Sequence, residues 1–271
     1  MESENNKLNI LIPIMEFGKS GGLRVLSQLA NNWTSLGCNV TIIAYYKSDY
    51  PYYDTKAKIV WIDDKGNPTN NNPMKSNGGG VYKISYSIYK YLKKHSQEYD
   101  VILGNYNITT IPIFLASKSN NFYYIQAYEP GFYDNNYGLK NRLLKFIAWI
   151  TYFLPLTKVV NAELYKSYKN IKSNYVIPPG LDLKNYYPKI LDNKRKGSLI
   201  VGCIGRSEEW KGSNDVGEAV KILHDKGLNI KLKVAFNPVN YTNHELVKPD
   251  GDKNLADYYR SLDVLVAPGQ S

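Results

Sequence analysis

Residues 199–215 constrain this chain more than any other stretch. Leu199-Ile-Val-Gly-Cys-Ile is apolar, partly β-branched and of strand length, and Gly205 then lets the backbone turn sharply. A helical pattern opens just beyond, with Ser213 and Asn214 as cap candidates. The pattern predicts a buried parallel strand feeding a helix, and therefore an open α/β sheet. Such sheets bind ligands beyond the carboxyl ends of their strands, where helix N-termini direct partial positive charge outward. Arg206 offers a planar fork and Lys211 a compact charge at that turn, a pair suited to a diphosphate. On spacing alone the two read equally well as solvated loop cations.

The rest of the chain repeats the strand-and-helix alternation. Leu8 to Ile14 predicts a first strand, Gly18 to Gly22 a phosphate-sized loop, and Leu23 to Leu36 a helix with one apolar face. Gly21 and Gly22 would let backbone N–H groups approach an anion, although the loop equally fits a ligand-free tight turn. Strands are expected at Val40 to Tyr45, Ile59 to Ile62, Asp100 to Gly104 and Phe122 to Gln126. The strand-end residues Asn105, Tyr128 and Glu129 follow the last two. Residues 66–80 are rich in Asn, Pro, Ser and Gly and read as a long exposed loop, a lid candidate. Val81 to Lys94 predicts another helix. The most apolar stretch, Leu143 to Leu156, is far short of the ~20 residues needed to span a bilayer. It predicts a buried helix; the alternative, with Lys140, Arg142 and Lys145 at one end, is a peripheral contact of 140–156 with anionic lipid. Charged, aperiodic residues 191–198 read as a linker between a domain at 1–190 and a second at 199–271.

Composition narrows the function classes. A net charge of +10 favours polyanionic partners, but the cations are scattered and no basic-aromatic nucleic-acid signature accompanies them, so no nucleic acid is expected. Cys38 and Cys203 sit in or beside strands and read as reduced core residues, which fits a cytoplasmic location. The acidic, polar opening Met1-Glu-Ser-Glu-Asn-Asn gives no secretory pattern. A nicotinamide enzyme is disfavoured because the Gly-x-Gly-x-x-Gly spacing is missing. Asp250-Gly-Asp252 has carboxylates for a divalent ion, but lies in a Pro-Asp-Gly turn with no apolar strand before it, so no metal site is expected.

Five stretches in order carry a family resemblance: Gly21-Gly22-Leu-Arg-Val-Leu with Leu36-Gly-Cys-Asn-Val40; Lys158-Val-Val-Asn161-Ala-Glu163; Tyr175-Val-Ile-Pro-Pro-Gly180-Leu-Asp182; Gly205-Arg206 with Lys211-Gly212; and Leu255-Ala-Asp-Tyr-Tyr to Pro268. Together they resemble the GT-B glycosyltransferases of family 4. The Gln126-Ala-Tyr128-Glu129-Pro130 run is similar to one in family members that make bacterial rhamnose-containing polymers.

The resemblance implies two Rossmann-like domains facing a cleft, the first on the acceptor side and the second binding a nucleotide sugar. It implies retaining transfer from a UDP-, GDP- or dTDP-sugar to a glycan or lipid-linked acceptor, with no cofactor required. Arg206 and Lys211 would stabilise the leaving diphosphate, Gly205, Gly212, Gly21 and Gly22 would help hold the donor, and Tyr128, Glu129 and Asn105 would face the acceptor. The family's donor-binding glutamate pair would fall beyond Ser271, so the resemblance makes the second domain incomplete. The chain then reads as a truncated enzyme; the alternatives are an inactive nucleotide-sugar-binding fragment and a split enzyme needing a complementing C-terminal half. The location expected is cytoplasmic, with the inner membrane face as the peripheral alternative.

Overall fold

The structure, a computed structural model, describes residues 7–72, 80–134, 138–168, 170–188, 197–207 and 209–268. The chain divides into two compact units, Met1–Gly180 and Leu181–Ser271. The expected lid and linker fall largely on residues 73–79 and 189–196, outside the described residues.

Unit 1 runs β1 (Asn9–Pro13), α1 (Gly21–Ser35), β2 (Asn39–Tyr45), β3 (Lys58–Ile62), β4 (Pro68–Thr69), α2 (Val81–His95), β5 (Val101–Gly104), α3 (Asn107–Ala116), β6 (Asn120–Ile125), α4 (Leu139–Thr151), β7 (Thr157–Val160) and β8 (Tyr175–Val176). Its eight strands order β4-β3-β2-β1-β5-β6-β7-β8. Every pair is parallel except the short β3–β4 pair, which occupies part of the expected 66–80 loop. Period-two alternation sorts the strand side chains onto two faces. Ile10, Ile12, Val40, Ile42 and Ala44 pack with Leu26 and Ala30 of α1. Leu11, Ile43, Tyr45, Ile102 and Ile125 pack with Ile84 and Ile88 of α2, Ile113 of α3, and Tyr152. Both faces are covered, which is why these strands are apolar runs. The chain builds outward from β1 through β2 and β3 on one side and through β5, β6 and β7 on the other. The switch point is therefore the β1–β5 boundary.

Pro112 lies inside α3 and removes the N–H that would bond the Ile108 carbonyl. The Ser85 hydroxyl of α2 donates to that carbonyl at 3.0 Å, so the orphaned acceptor is satisfied and the two helices are pinned together.

The expectation of a buried helix near Leu143 needs correction. α4 begins at Leu139, and only Ala148 and Thr151 along it are buried; Leu144 and Ile147 are partly buried, and Leu139, Leu143, Phe146, Trp149 and Ile150 are exposed. Among the described residues, no helix is long and apolar enough to cross a membrane.

Unit 2 runs β9 (Leu199–Gly205), α5 (Ser213–Asp225), β10 (Ile230–Phe236), β11 (His244–Val247), α6 (Gly251–Ser261) and β12 (Val264–Leu265). Its parallel strands order β11-β10-β9-β12, which places the switch point between β9 and β12. Val201, Cys203, Val216, Val220, Leu232, Val234 and Val239 form its core. A Cβ at Gly202 would lie 2.3 Å from Leu262 Cδ1, so the Leu262 side chain packs directly on the β9 backbone there. Tyr258, also buried, donates its hydroxyl to the Cys203 carbonyl at 2.7 Å. The sequence shows no apolar strand before Asp250; the strand that does precede it, β11, is the mostly exposed edge segment His-Glu-Leu-Val, which the sequence reading did not place.

Candidate functional site

At the switch point of unit 1 the ends of β1, β5 and β6 surround an open pocket of about 800 Å³. α1 supplies one wall. Ser20 is its N-cap, its hydroxyl accepting from Leu23 N at 3.4 Å, and Gly21 and Gly22 are its first helical residues rather than part of a loop. A Cβ on Gly21 would meet nothing within 4 Å, whereas one on Gly22 would touch the Gln126 amide at 3.4 Å. The Gly21 and Gly22 N–H groups, which precede the first intrahelical bond, therefore stand beside this space carrying the positive end of the helix dipole, while Leu23 N is taken by the cap. Lys19 and Arg24 line the same pocket. Lys19 sits 4.9 Å over the Tyr52 ring, and its carbonyl accepts from the Tyr53 hydroxyl at 3.0 Å.

Amides form much of the opposite wall. Asn105 Nδ2 donates to the Pro13 carbonyl at 2.7 Å, tying the β5 turn to the end of β1. Asn161, just after β7, donates through Nδ2 to the Gln126 carbonyl at 3.2 Å. Its Oδ1 is buried without a hydrogen-bond partner beside the pocket wall.

Glu129 also lines the pocket, yet it is only 2% exposed. Its Oε2 accepts from Asn107 N, the first residue of α3, and its Oε1 from the Tyr123 hydroxyl, each at 2.7 Å. Its own N–H donates to the Tyr152 hydroxyl at 3.0 Å. Burial pushes the carboxyl up to about 8, while the Tyr123 and Asn107 bonds pull the other way. Burial first, and the Glu129 charge second, raises the Tyr123 hydroxyl well above its ordinary range. The carboxyl is thus a brace joining the turn after β6 to the start of α3, not an open acceptor contact. Tyr128 is directed elsewhere: it stacks on Tyr168 at 4.3 Å and belongs to the aromatic edge of the core.

The second sequence-derived cluster lies at the switch point of unit 2. Gly205 ends β9, and a Cβ there would lie 1.7 Å from the Asn237 carbonyl oxygen. Phe236, its register partner, has φ of 72°, a strained value for a bulky residue at the end of β10. Arg206 follows, exposed, with its backbone held by Ser213: Arg206 N donates to Ser213 Oγ at 3.2 Å, and that hydroxyl faces the Arg206 carbonyl at 3.0 Å. Lys211 closes a short 3-10 turn, Glu209–Lys211, and is partly buried. Gly212 is the N-cap of α5 in the left-handed region, φ 64°, where a Cβ would meet the Pro268 carbonyl at 3.0 Å. Neither Ser213 nor Asn214 caps α5 as expected. Ser213 braces Arg206, and Asn214 Oδ1 accepts from Asn240 N at 3.0 Å.

Asp250 and Asp252 flank the start of α6, the former as N-cap residue, and Asp252 Oδ1 accepts from Tyr186 at 3.1 Å. A carboxylate there complements the helix dipole. Among the described residues no group of three His, Cys, Asp or Glu side chains is placed to hold a metal ion.

Unit 1 thus brings together Gly21, Gly22, Asn105 and Glu129 and leaves out Tyr128, while Gly205, Arg206, Lys211 and Gly212 gather in unit 2. Lys19, Arg24, Gln126 and Asn161 line the pocket as well, although the sequence assigned none of them to a site; Gln126 and Asn161 entered only in stretches that carry the resemblance. Arg24 had a usable signal, since it lies in the first turn of a helix opened by two glycines. Chemically, the unit 1 pocket offers a positive helix end and two cations to an anionic group, and amides to hydroxyls.

No family model matches the chain, and no curated protein matches its sequence. Its fold does match solved structures. Sucrose-phosphate synthase from Thermosynechococcus elongatus is 15% identical, with 97% of this chain and 76% of that one covered at a TM-score of 0.72. The catalytic domain of starch synthase IV from Arabidopsis thaliana, bound to ADP and acarbose, is 14% identical, with 97% and 78% covered at 0.65. UDP-GlcNAc 2-epimerase from Methanocaldococcus jannaschii is 10% identical, with 96% and 77% covered at 0.52. At such identities the likeness concerns architecture alone, and by architecture the chain has the GT-B fold.

Proposed function

We propose that this chain is a glycosyltransferase that moves a sugar from a nucleotide diphosphate sugar to a hydroxyl of a glycan or lipid-linked acceptor. The observation that carries the reading is the unit 1 pocket, where an open helix N-terminus, Lys19 and Arg24 face a wall of amides with one unpaired buried acceptor. That combination suits a ligand with both anionic and hydroxyl groups. The fold shared with sucrose-phosphate synthase and starch synthase IV supports the same class.

In the proposed reaction the anomeric carbon–oxygen bond to the diphosphate breaks, a bond to the acceptor oxygen forms, and the acceptor hydroxyl loses its proton. Negative charge builds on the leaving phosphates, and fixed cations stabilise it without reorganising. Arg206 and Lys211 take that role without a cofactor, each charge-assisted contact contributing roughly 1.5–3 kcal/mol. Gly21 and Gly22 permit close backbone approach to the donor, Gly205 and Gly212 let the turns that carry Arg206 and Lys211 close, and Asn105 serves the acceptor side. Glu129 acts as a positioning residue. Retention, membership of family 4 and kinship with rhamnose-polymer enzymes rest on the sequence resemblance.

The test is a thermal-shift titration with UDP, GDP, dTDP and their sugar conjugates, on the wild-type chain and on Arg206→Ala, followed by product analysis with and without acceptor. The expected result is a rise in Tm with one nucleotide, equivalent to about 2.7 kcal/mol at a hundredfold excess over Kd, and its loss in the variant. Equal shifts in both proteins would remove Arg206 from the donor site. A donor isomerised without any acceptor would replace transfer by epimerisation.

A further inference from the structure

α4 carries large apolar side chains on its outward side as well as on the side that packs on the domain. Leu139, Leu143, Phe146 and Ile150 recur at spacings of four, three and four, so they form one stripe along the helix. They are 84%, 54%, 54% and 43% exposed, while the side turned to the core carries the partly buried Leu144 and Ile147 and the buried Ala148 and Thr151. Trp149 and Phe153 extend the stripe. Their rings lie 4.6 Å apart, and Phe146 stacks on Trp149 at 6.0 Å, so the aromatic ridge is already ordered. Scattered exposed apolar residues are ordinary, but a contiguous stripe of six large ones marks a surface that something covers.

The charges beside the stripe indicate what covers it. Lys140 and Arg142 are exposed on the same helix, Lys145 pairs with Asp134, and the chain carries a net charge of +10. Interfaces with proteins are depleted of Lys near their centres. At a bilayer surface, by contrast, Lys and Arg stems lie along apolar surface and lift their charges to anionic headgroups while Leu, Phe and Trp enter the acyl boundary. The helix has 13 residues, about 20 Å of length, and suits lying in the interface plane.

From this we infer that the outward face of α4 docks the protein on an anionic lipid surface. Docking does not depend on the reaction proposed above. One consequence does rest on it: Phe132, half exposed and preceding α4, also lines the unit 1 pocket, so docking would bring headgroup-borne acceptors to that pocket.

Co-sedimentation of the full chain with vesicles of phosphatidylcholine, alone or mixed with phosphatidylglycerol, tests the inference. Binding is expected to the mixed vesicles and to be weak on phosphatidylcholine alone. Phe146→Glu with Ile150→Glu should weaken it roughly tenfold or more, and Lys140→Gln or Arg142→Gln roughly fivefold each, with Tm little changed because these side chains are exposed. Absence of binding to mixed vesicles, or equal binding by the Glu variant, would overturn the inference. So would a wild-type dimer, seen by sedimentation velocity, that the Glu variant dissociates, since a second copy would then cover the stripe. The Glu variant should keep its nucleotide thermal shift, which separates failure of docking from failure of the proposed reaction.

Discussion

The turn after β1 in unit 1 and the turn after β9 in unit 2 occupy the same topological place, yet their glycines exist for different reasons. Gly21 and Gly22 border open space and the flexible end of a Gln side chain. Gly205 and Gly212 are held against the backbone of neighbouring turns, the Asn237 and Pro268 carbonyls. Unit 1 uses small residues to leave room for something; unit 2 uses them to bring its own loops together under two cations. A Gly-Arg and Lys-Gly motif can therefore look like a ligand cradle while its glycines do structural work and only the charged side chains remain for chemistry.

Gly205→Ala should expose that difference most strongly. A Cβ at 1.7 Å from Asn237 O must displace the backbone beside the already strained Phe236, and neither group can yield cheaply. The expected cost is about 3 kcal/mol or more, read as a lowered denaturation midpoint of unit 2. A loss below about 1 kcal/mol would show that the turn relaxes freely and that the close approach does not govern the position.

A second test concerns the buried carboxyl, which has no counterpart described in unit 2. Glu129 in the folded protein keeps its proton to about 8, whereas its ordinary value is 4.5. Between these values the folded protein holds a proton that the unfolded chain has released, so this group's contribution to stability is full below about 4.5 and declines as pH rises toward 8. The steepest slope is about 1.4 kcal/mol per pH unit. Glu129→Gln can still accept from Asn107 N and can donate to the Tyr123 oxygen, so it should fold and flatten that slope in a pH series of urea melts. An unchanged slope would mean that Glu129 is already ionised in the native state.

Much of this was legible in the sequence, for definable reasons. The strands β1, β2, β5, β6 and β9 are buried on both faces, so continuous apolar runs announced them. β11 escaped because His244 and Glu245 begin a polar edge strand, and β4 because two residues leave no periodicity. The outward apolar stripe of α4 entered the sequence reading only as the alternative of a lipid contact over 140–156, because an apolar run is ordinarily a buried one. The burial of Glu129 could not be read locally, since Asn107 lies 22 residues away and contributes a backbone N–H that any residue but Pro would offer. Strand-end sites were located by topology, whereas the role of each glycine depended on which backbone its neighbour brought near.

The smallest expected effect separates the two kinds of glycine most cleanly. Gly21 begins α1, is absent from the positive-φ glycines, and a Cβ would meet nothing within 4 Å. Gly21→Ala removes conformational freedom from the unfolded chain without native strain, so the unfolding free energy should stay within about 0.5 kcal/mol of wild type or rise slightly. Any ligand anion drawn to the first-turn N–H groups must approach through the space that this Cβ would enter. The nucleotide-induced thermal shift should therefore fall while intrinsic stability holds. If both stay unchanged, the unit 1 glycines serve only to start the helix, and the contrast between the two turns disappears.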